Sequence, residues 1–325
     1  MAFRVKSTKA FVFLMLGVIC FLSASCKPST HEWSPQTVLI YYAVSDEKDL
    51  PPPIPFRFIL YSDGQVFLFR HDYKVFVDTE AASYIEILTK KLSRREICAL
   101  LNSIDRSGFF DYDPSKYDFS QNDQYDLVTE YIQVNSWRSK SVGLYGLGFA
   151  IEEPFVQYKV DKQLVEIYNL VNYYPSDGFG TYQPEKIALW VRPAPGWNDP
   201  NNKNINLYGI WPLESPTLAE LAQLTIDSNL YDPDTFGYNP TTSTVLEGQS
   251  AKAVYDFLGQ SIVEWGLPIA ENGILYWVLA IPLLPYQAPP PNGEFYSAIP
   301  SLAYPASDFS LSCQLSDGFV EITVP

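Results

Sequence analysis

Five aspartates, Asp111, Asp113, Asp118, Asp123 and Asp126, share the nineteen residues GFFDYDPSKYDFSQNDQYD with six aromatic side chains. Carboxylates gathered this closely can ligate Ca²⁺, and Asp111, Asp113 and Ser115 open like an EF-hand loop. Lys116 then stands at the sixth position, where the sharp turn takes glycine, and Asn122 at the twelfth, where a bidentate glutamate belongs. The motif fails at its two most restrictive positions. A calcium site of another design would draw on Asp118, Asp123 and Asp126. Zinc has no suitable ligand spacing, because His31 and His71 are the only histidines and the cysteines are scattered. The expectation is no metal and no cofactor.

Paired carboxylates are the one catalytic device that needs nothing this chain lacks, since the general acid and the base or nucleophile of a glycosidase can both be Asp or Glu. Glu264, beside Trp265, and Glu271 are the candidates nearest to aromatic residues. Nucleophilic catalysis has less to work with. There is no G-x-S-x-G elbow, and a Ser–His pair would rest on His71, read here as a solvated turn residue after a strand ending at Arg70. Gly143 to Ala150 (GLYGLGFA) lacks the patterns that cradle phosphate. Trp197, in the proline-broken polar loop RPAPGWNDPNNKN, either folds back onto the core or is displayed as a possible ligand contact. Cys98 and Cys313 are either bridged or two buried thiols.

Positioning such residues requires a frame. Thr37 to Ala43 and Phe56 to Tyr61 are β-branched and aromatic runs, and the second meets Val66 to Arg70 across Ser62-Asp63-Gly64-Gln65, a hairpin signal. The stretch LSRREICALLNSIDRSG then carries a fully punctuated helix. Ser93 and Glu96 form a capping box, Ile97, Leu100, Leu101 and Ile104 make one apolar face, and Gly108 stops it. A strand over 127–137 and a helix over 161–173 follow. Beyond Tyr182 the order restarts: strands at 187–191 and 205–210, a helix capped by Thr217 and Glu220, a strand at 243–247 and a helix over 250–258. Strands at 261–265, 274–281, 309–315 and 319–324 close the chain, the last two joined by a Ser316-Asp317-Gly318 turn.

After the second capped helix, Tyr231-Asp232-Pro233 repeats Tyr112-Asp113-Pro114, and an aromatic residue stands three positions beyond each proline. The pattern predicts an α+β protein of two related halves, 37–180 and 181–325, each an antiparallel-rich sheet covered by a pair of helices. In this reading the acidic stretch is scaffold: its aromatics pack back and its aspartates stay solvated or cap turns.

The first 25 residues read as a signal peptide, with Arg4, Lys6 and Lys9 ahead of an unbroken apolar run, Ala10 to Leu22, too short to span a bilayer. Residues 26–36 read as a polar tether. Cleavage before Cys26 lowers the 22 basic residues to 19 against 37 acidic ones, a net charge of −18. Nucleic acid is therefore an unsuitable partner, and an anionic lipid surface would repel the chain.

Ser23-Ala24-Ser25-Cys26 resembles the lipobox of bacterial lipoproteins, although an ordinary signal peptidase would cut the same bond. The run LSxxExxxLLxxIDxxGFF, here Leu92 to Phe110, after a hairpin with a YSDG turn at Tyr61 to Gly64, resembles uncharacterised bacterial envelope lipoproteins with no assigned activity. The resemblance implies an exported protein on the extracytoplasmic face of the cell membrane, held through lipid on Cys26. The expected role is binding or structural, toward an envelope protein or glycan. The alternative is a carboxylate-dependent glycoside hydrolase acting on polysaccharide.

Overall fold

A computed structural model describes residues 38–45, 56–72, 84–119, 127–153, 158–193, 210–225, 244–258, 267–285 and 313–320. The fold is α+β, with two antiparallel sheets. Strands β1 (Val38–Ser45), β2 (Phe56–Tyr61), β3 (Gln65–Asp72), β4 (Tyr84–Lys91), β5 (Thr129–Asn135), β6 (Ser139–Tyr145) and β7 (Gly180–Thr181) form a seven-stranded sheet in the order β6-β5-β1-β2-β3-β4-β7. Strands β8 (Lys186–Pro193), β9 (Thr244–Glu247), β10 (Leu267–Glu271) and β11 (Ile274–Leu283) form a second sheet in the order β10-β11-β8-β9. The helices are α1 (Arg94–Ser107), α2 (Leu147–Glu152), α3 (Lys162–Asn172), α4 (Leu218–Thr225) and α5 (Gly248–Leu258).

Three apolar cores stack these elements into four layers. Ile97, Leu100, Leu101 and Ile104 of α1 and Leu164, Ile167 and Val171 of α3 pack on one face of the large sheet, against Tyr42, Phe58, Leu68, Ile132 and Val142. The opposite face presents Tyr41, Ile59, Tyr61, Phe67 and Ile87 to Ala188, Trp190, Ile281 and Leu283 of the small sheet. The far side of the small sheet meets Leu218 and Leu221 of α4 and Ala251, Val254 and Leu258 of α5. The order is thus helices, sheet, sheet, helices. It explains the unbroken apolar run of β8: Ile187, Leu189 and Val191 face one core while Ala188 and Trp190 face the other. Tyr182 stitches the two sheets together. Its N–H donates to the Ile87 carbonyl at 2.7 Å and its hydroxyl to that of Leu283 at 2.8 Å.

The punctuation of α1 is as its residues dictate. Ser93 Oγ accepts the Glu96 N–H, Glu96 Oε2 accepts the Ser93 N–H, and Gly108 closes the helix at φ 81°, a left-handed cap that costs glycine little. Thr217 and Glu220 form the same reciprocal pair at the start of α4.

Two expectations are corrected. His71 lies within β3, opposite Ile85, rather than in a turn beyond it, because β3 runs on to Asp72 alongside β4. Residues 313–320 form no strand. Leu315–Asp317 is a 3₁₀ turn in which Gln314 and Asp317 cap each other, so the backbone groups a ladder would use are satisfied locally. The strands expected at 205–209 and 261–265, and the second Tyr-Asp-Pro phrase, lie outside the described residues.

Candidate functional site

The acidic stretch is built around its aromatics. Phe109, Phe110, Tyr112 and Phe119 are buried, while Asp111, Asp113 and Asp118 are exposed. Asp113, held extended before Pro114, accepts both the N–H and the hydroxyl of Ser115 and so caps a 3₁₀ turn over Pro114–Lys116. Asp111 pairs with Arg138 at 2.6 Å, and that hydrogen bond holds its carboxyl below the usual range. Both partners are open to water, so the pair sets direction more than stability. Lys140 reaches under the stretch, donating to the carbonyls of Phe110 and Tyr112 with its ammonium over the Phe109 and Tyr112 rings. Among the described residues, no group of three or more His, Cys, Asp or Glu is arranged to hold a metal ion.

Among the described carboxylates, one outside that stretch is the most strongly shifted. Glu130 is only 3% exposed and lies in phase with Ile132 and Val134 on the core face of β5. Its Oε2 accepts the Leu147 N–H at 2.9 Å and its Oε1 the Gly148 N–H at 2.8 Å, which covers two orphan donors at the start of α2. Burial pushes its pKa up to about 7 against the pull of those donors, and Glu152 adds to the rise. At the rim, Glu152 Oε1 accepts the Tyr168 hydroxyl at 2.6 Å and the Tyr173 hydroxyl at 2.7 Å, with the Asn172 amide at 3.4 Å. Tyr42 hydrogen-bonds to Tyr168 from inside. Burial, then Tyr42 and Glu152, push the Tyr168 phenol up.

Gly148 is the gap between the two acids. A Cβ there would come within 2.8 Å of both Glu130 Oε1 and the Tyr168 hydroxyl oxygen. Gly148→Ala should gain about 1 kcal/mol in helix propensity and lose about 2 kcal/mol to overpacking, since neither oxygen can retreat without breaking its hydrogen bond. A net loss of about 1 kcal/mol, read from chemical denaturation, is the expected result; a stabilised variant would contradict this packing.

Each carboxylate of the cluster is thus committed to donors within the fold. The sequence carried one signal for Glu130: a glutamate at a core-facing strand position must be paired or neutral. Glu271 serves another end, its Oε2 accepting the Ala219 N–H at the start of α4 at 3.3 Å. Cys98, in α1, and Cys313 are joined as a disulfide, their Cα atoms 5.1 Å apart. Trp197, Glu264, Trp265, Asp123, Asp126, His31 and Cys26 lie outside the described residues.

The remaining surface of interest is the overhang of the large sheet. The core between the sheets draws on β1 to β4 and on no residue of β5 or β6. Ile132, Val134, Val142 and Leu144 point to α1 and α3, so the other face carries Thr129, Tyr131, Gln133 and Asn135 opposite Tyr145, Gly143, Ser141 and Ser139. None of these eight is charged. Gln133 and Asn135 are buried and hydrogen-bonded, the Asn135 amide donating to the Val38 carbonyl at 2.9 Å. Ser139, Ser141 and Gly143 are exposed. Tyr131, 40% exposed, lies across Gly143, where a Cβ would come within 2.9 Å of its ring. Trp137, 43% exposed, stands at the tip of the β5–β6 hairpin. Trp137 packs toward the helix side, its ring centre 6.2 Å from that of buried Phe110, so this face carries one exposed aromatic, Tyr131, beside the Ser139 and Ser141 hydroxyls.

The chain matches no protein-family model, no curated protein and no solved structure.

Proposed function

We propose that the protein is exported, anchored through lipid on Cys26 to the extracytoplasmic face of the cell membrane, and binds an uncharged partner of the envelope, a glycan or a protein surface, through β5–β6. The observation that carries the binding role is the charge-free exposed patch of Tyr131, Ser139, Ser141 and Gly143 on β5–β6, on a chain with 37 acidic residues. A partly exposed Tyr supplies contact area at little cost in conformational entropy, and hydroxyls beside it offer hydrogen bonds to neutral groups. The disulfide between Cys98 and Cys313 supports an oxidising compartment. The carboxylate pair of a glycosidase has less support, because Glu130, Glu152 and Glu271 all accept hydrogen bonds from the fold's own donors.

The anchor is tested by fractionation and mass. Cys26→Ala is expected to leave the membrane fraction, and wild type to carry a lipid mass on Cys26; equal retention with no lipid on wild type would refute it. The binding role is tested with the soluble form lacking residues 1–26, titrated onto isolated cell envelopes. Tyr131→Ala should bind at least about tenfold more weakly with its melting temperature lowered only modestly, because the side chain is already partly in water. Undiminished binding would remove β5–β6 from the reading.

A further inference from the structure

Helix α1 works on two faces. Its apolar stripe faces the sheet, and a second stripe at helical spacing, Arg95, Cys98, Asn102 and Arg106, holds residues 313–320. The Asn102 amide donates to the carbonyls of Gln314 at 2.9 Å and Gly318 at 3.2 Å. Ser103 Oγ accepts the Val320 N–H at 2.9 Å, and the Arg106 guanidinium lies 3.8 Å from the centre of the Phe319 ring. Arg95 Nε reaches the Asp317 carbonyl at 3.5 Å. All but one of these contacts read main chain. Of the segment's side chains, Leu315 is 78% exposed and Phe319 37%, while Cys313 and Val320 are only partly buried against the core. Main-chain hydrogen bonds at a wet surface have small net worth, and one ring over one guanidinium adds little more. The covalent bond is the strong element in the attachment.

We infer that residues 313–320 are a strap fastened to α1 by the Cys98–Cys313 disulfide, and that reduction releases it and uncovers the Asn102 stripe while both sheets stay folded. Cys98 is fully buried and Cys313 partly exposed, so an external dithiol reaches Cys313 Sγ first. Attack there forms a mixed disulfide and expels the Cys98 thiolate, which takes up a proton. The second thiolate of the dithiol then closes its own disulfide and frees Cys313. Two electrons pass from the dithiol to the protein, which gains two thiols.

Release without unfolding follows from where the strap sits. It touches the core only at its ends, through partly buried Cys313 and Val320, whereas Ile97, Leu100, Leu101 and Ile104 keep the helix on the sheet without it. Asn102, 6% exposed, would turn its amide to water and satisfy it there.

Hydrogen exchange on the purified mature protein, oxidised and after dithiothreitol, tests this directly, with Cys313→Ser as the second route to the unfastened state. The amides of Gln314, Asp317, Gly318 and Val320, all hydrogen-bonded in the closed form, should lose at least about tenfold in protection in both cases. The amides of β1 and β5 should stay within about twofold of the oxidised protein. Parallel loss across β1 and β5 would make the disulfide a staple of the whole fold and overturn the proposal. Unchanged protection of the strap would overturn it equally, because the noncovalent contacts would then suffice.

Discussion

Phe110→Ala lowers the free energy of unfolding by about 3 kcal/mol, while Asp118→Asn changes it by no more than about 0.5 kcal/mol. Phe110 is 7% exposed and fills the corner where α1 hands over to the acidic stretch, its ring centre 5.9 Å from that of Phe109 and 6.2 Å from that of Trp137. The Arg138 guanidinium lies 5.4 Å from its ring centre, and its carbonyl accepts from both Arg138 and Lys140. Truncation therefore opens a cavity and also removes the ring on which the Arg138 guanidinium rests. The expected loss sits at the low end for a buried phenylalanine, because half-exposed Trp137 can lean into the gap. Asp118 lies in the same stretch, but its side chain is exposed and its backbone N–H is held by the Tyr158 hydroxyl, which an asparagine leaves in place. Urea denaturation of the two variants beside wild type, with the disulfide intact, decides the matter. If the stretch were instead a calcium site, the ranking would reverse: calcium would raise the melting temperature of wild type, and Asp118→Asn would abolish the rise.

Local chemistry made some of this legible in advance. Ser93, Glu96 and Gly108 fix α1 to the residue, since capping groups act on atoms two or three positions away. The aromatic and proline pattern of the acidic stretch likewise stated how it would pack. Strands that depend on distant partners were harder to read. β6 (SKSVGLY) buries only Val142 and Leu144, and its Ser and Gly residues read as loop until Tyr131 is known to cover Gly143 from the neighbouring strand. The β10–β11 hairpin does carry a local signal. Asn272-Gly273, with φ of 50° and 79°, is the pair that a tight hairpin turn prefers, and Pro268 obscured the strand before it. The docking of 313–320 on α1 lies beyond any local pattern, because its partners are more than two hundred residues away. Of the proposed binding face, Tyr131 falls within a strand that the sequence shows, but its exposure depends on β5 and β6 reaching beyond the core between the sheets.

Stability that falls as pH rises from about 4.5 to about 7, and a Glu130→Gln variant in which that slope is lost, is the second large effect. The sign follows from the direction of the shift. Burial raises the folded-state pKa of Glu130 from 4.5 to about 7, so between those values the folded protein holds a proton that the unfolded chain has released. Its contribution to stability is fully present below about pH 4.5 and is lost as pH climbs through about 7, at a rate approaching 1.4 kcal/mol per pH unit and on the order of 3 kcal/mol in all. The groups acting on it give no relief at high pH. The N–H groups of Gly148 and Leu147 hold the ionised form but leave the pKa raised, and Glu152, at the rim, repels it. Tyr42, Tyr117 and Tyr168 face the same space, their phenols pushed up chiefly by burial. Glutamine keeps the size and one acceptor but turns an amide toward the second N–H, so the variant starts from a lower stability in acid, where the wild-type carboxyl is protonated. The diagnostic quantity is therefore the slope, measured by urea denaturation at half-unit steps from pH 5 to 8. Asp111 and Asp113, whose carboxyls are held low by Arg138 and Ser115, lose their partners only in more acid solution and do not enter this window. A wild-type slope matching that of Glu130→Gln would mean that Glu130 stays ionised within the fold and caps α2 as a plain carboxylate.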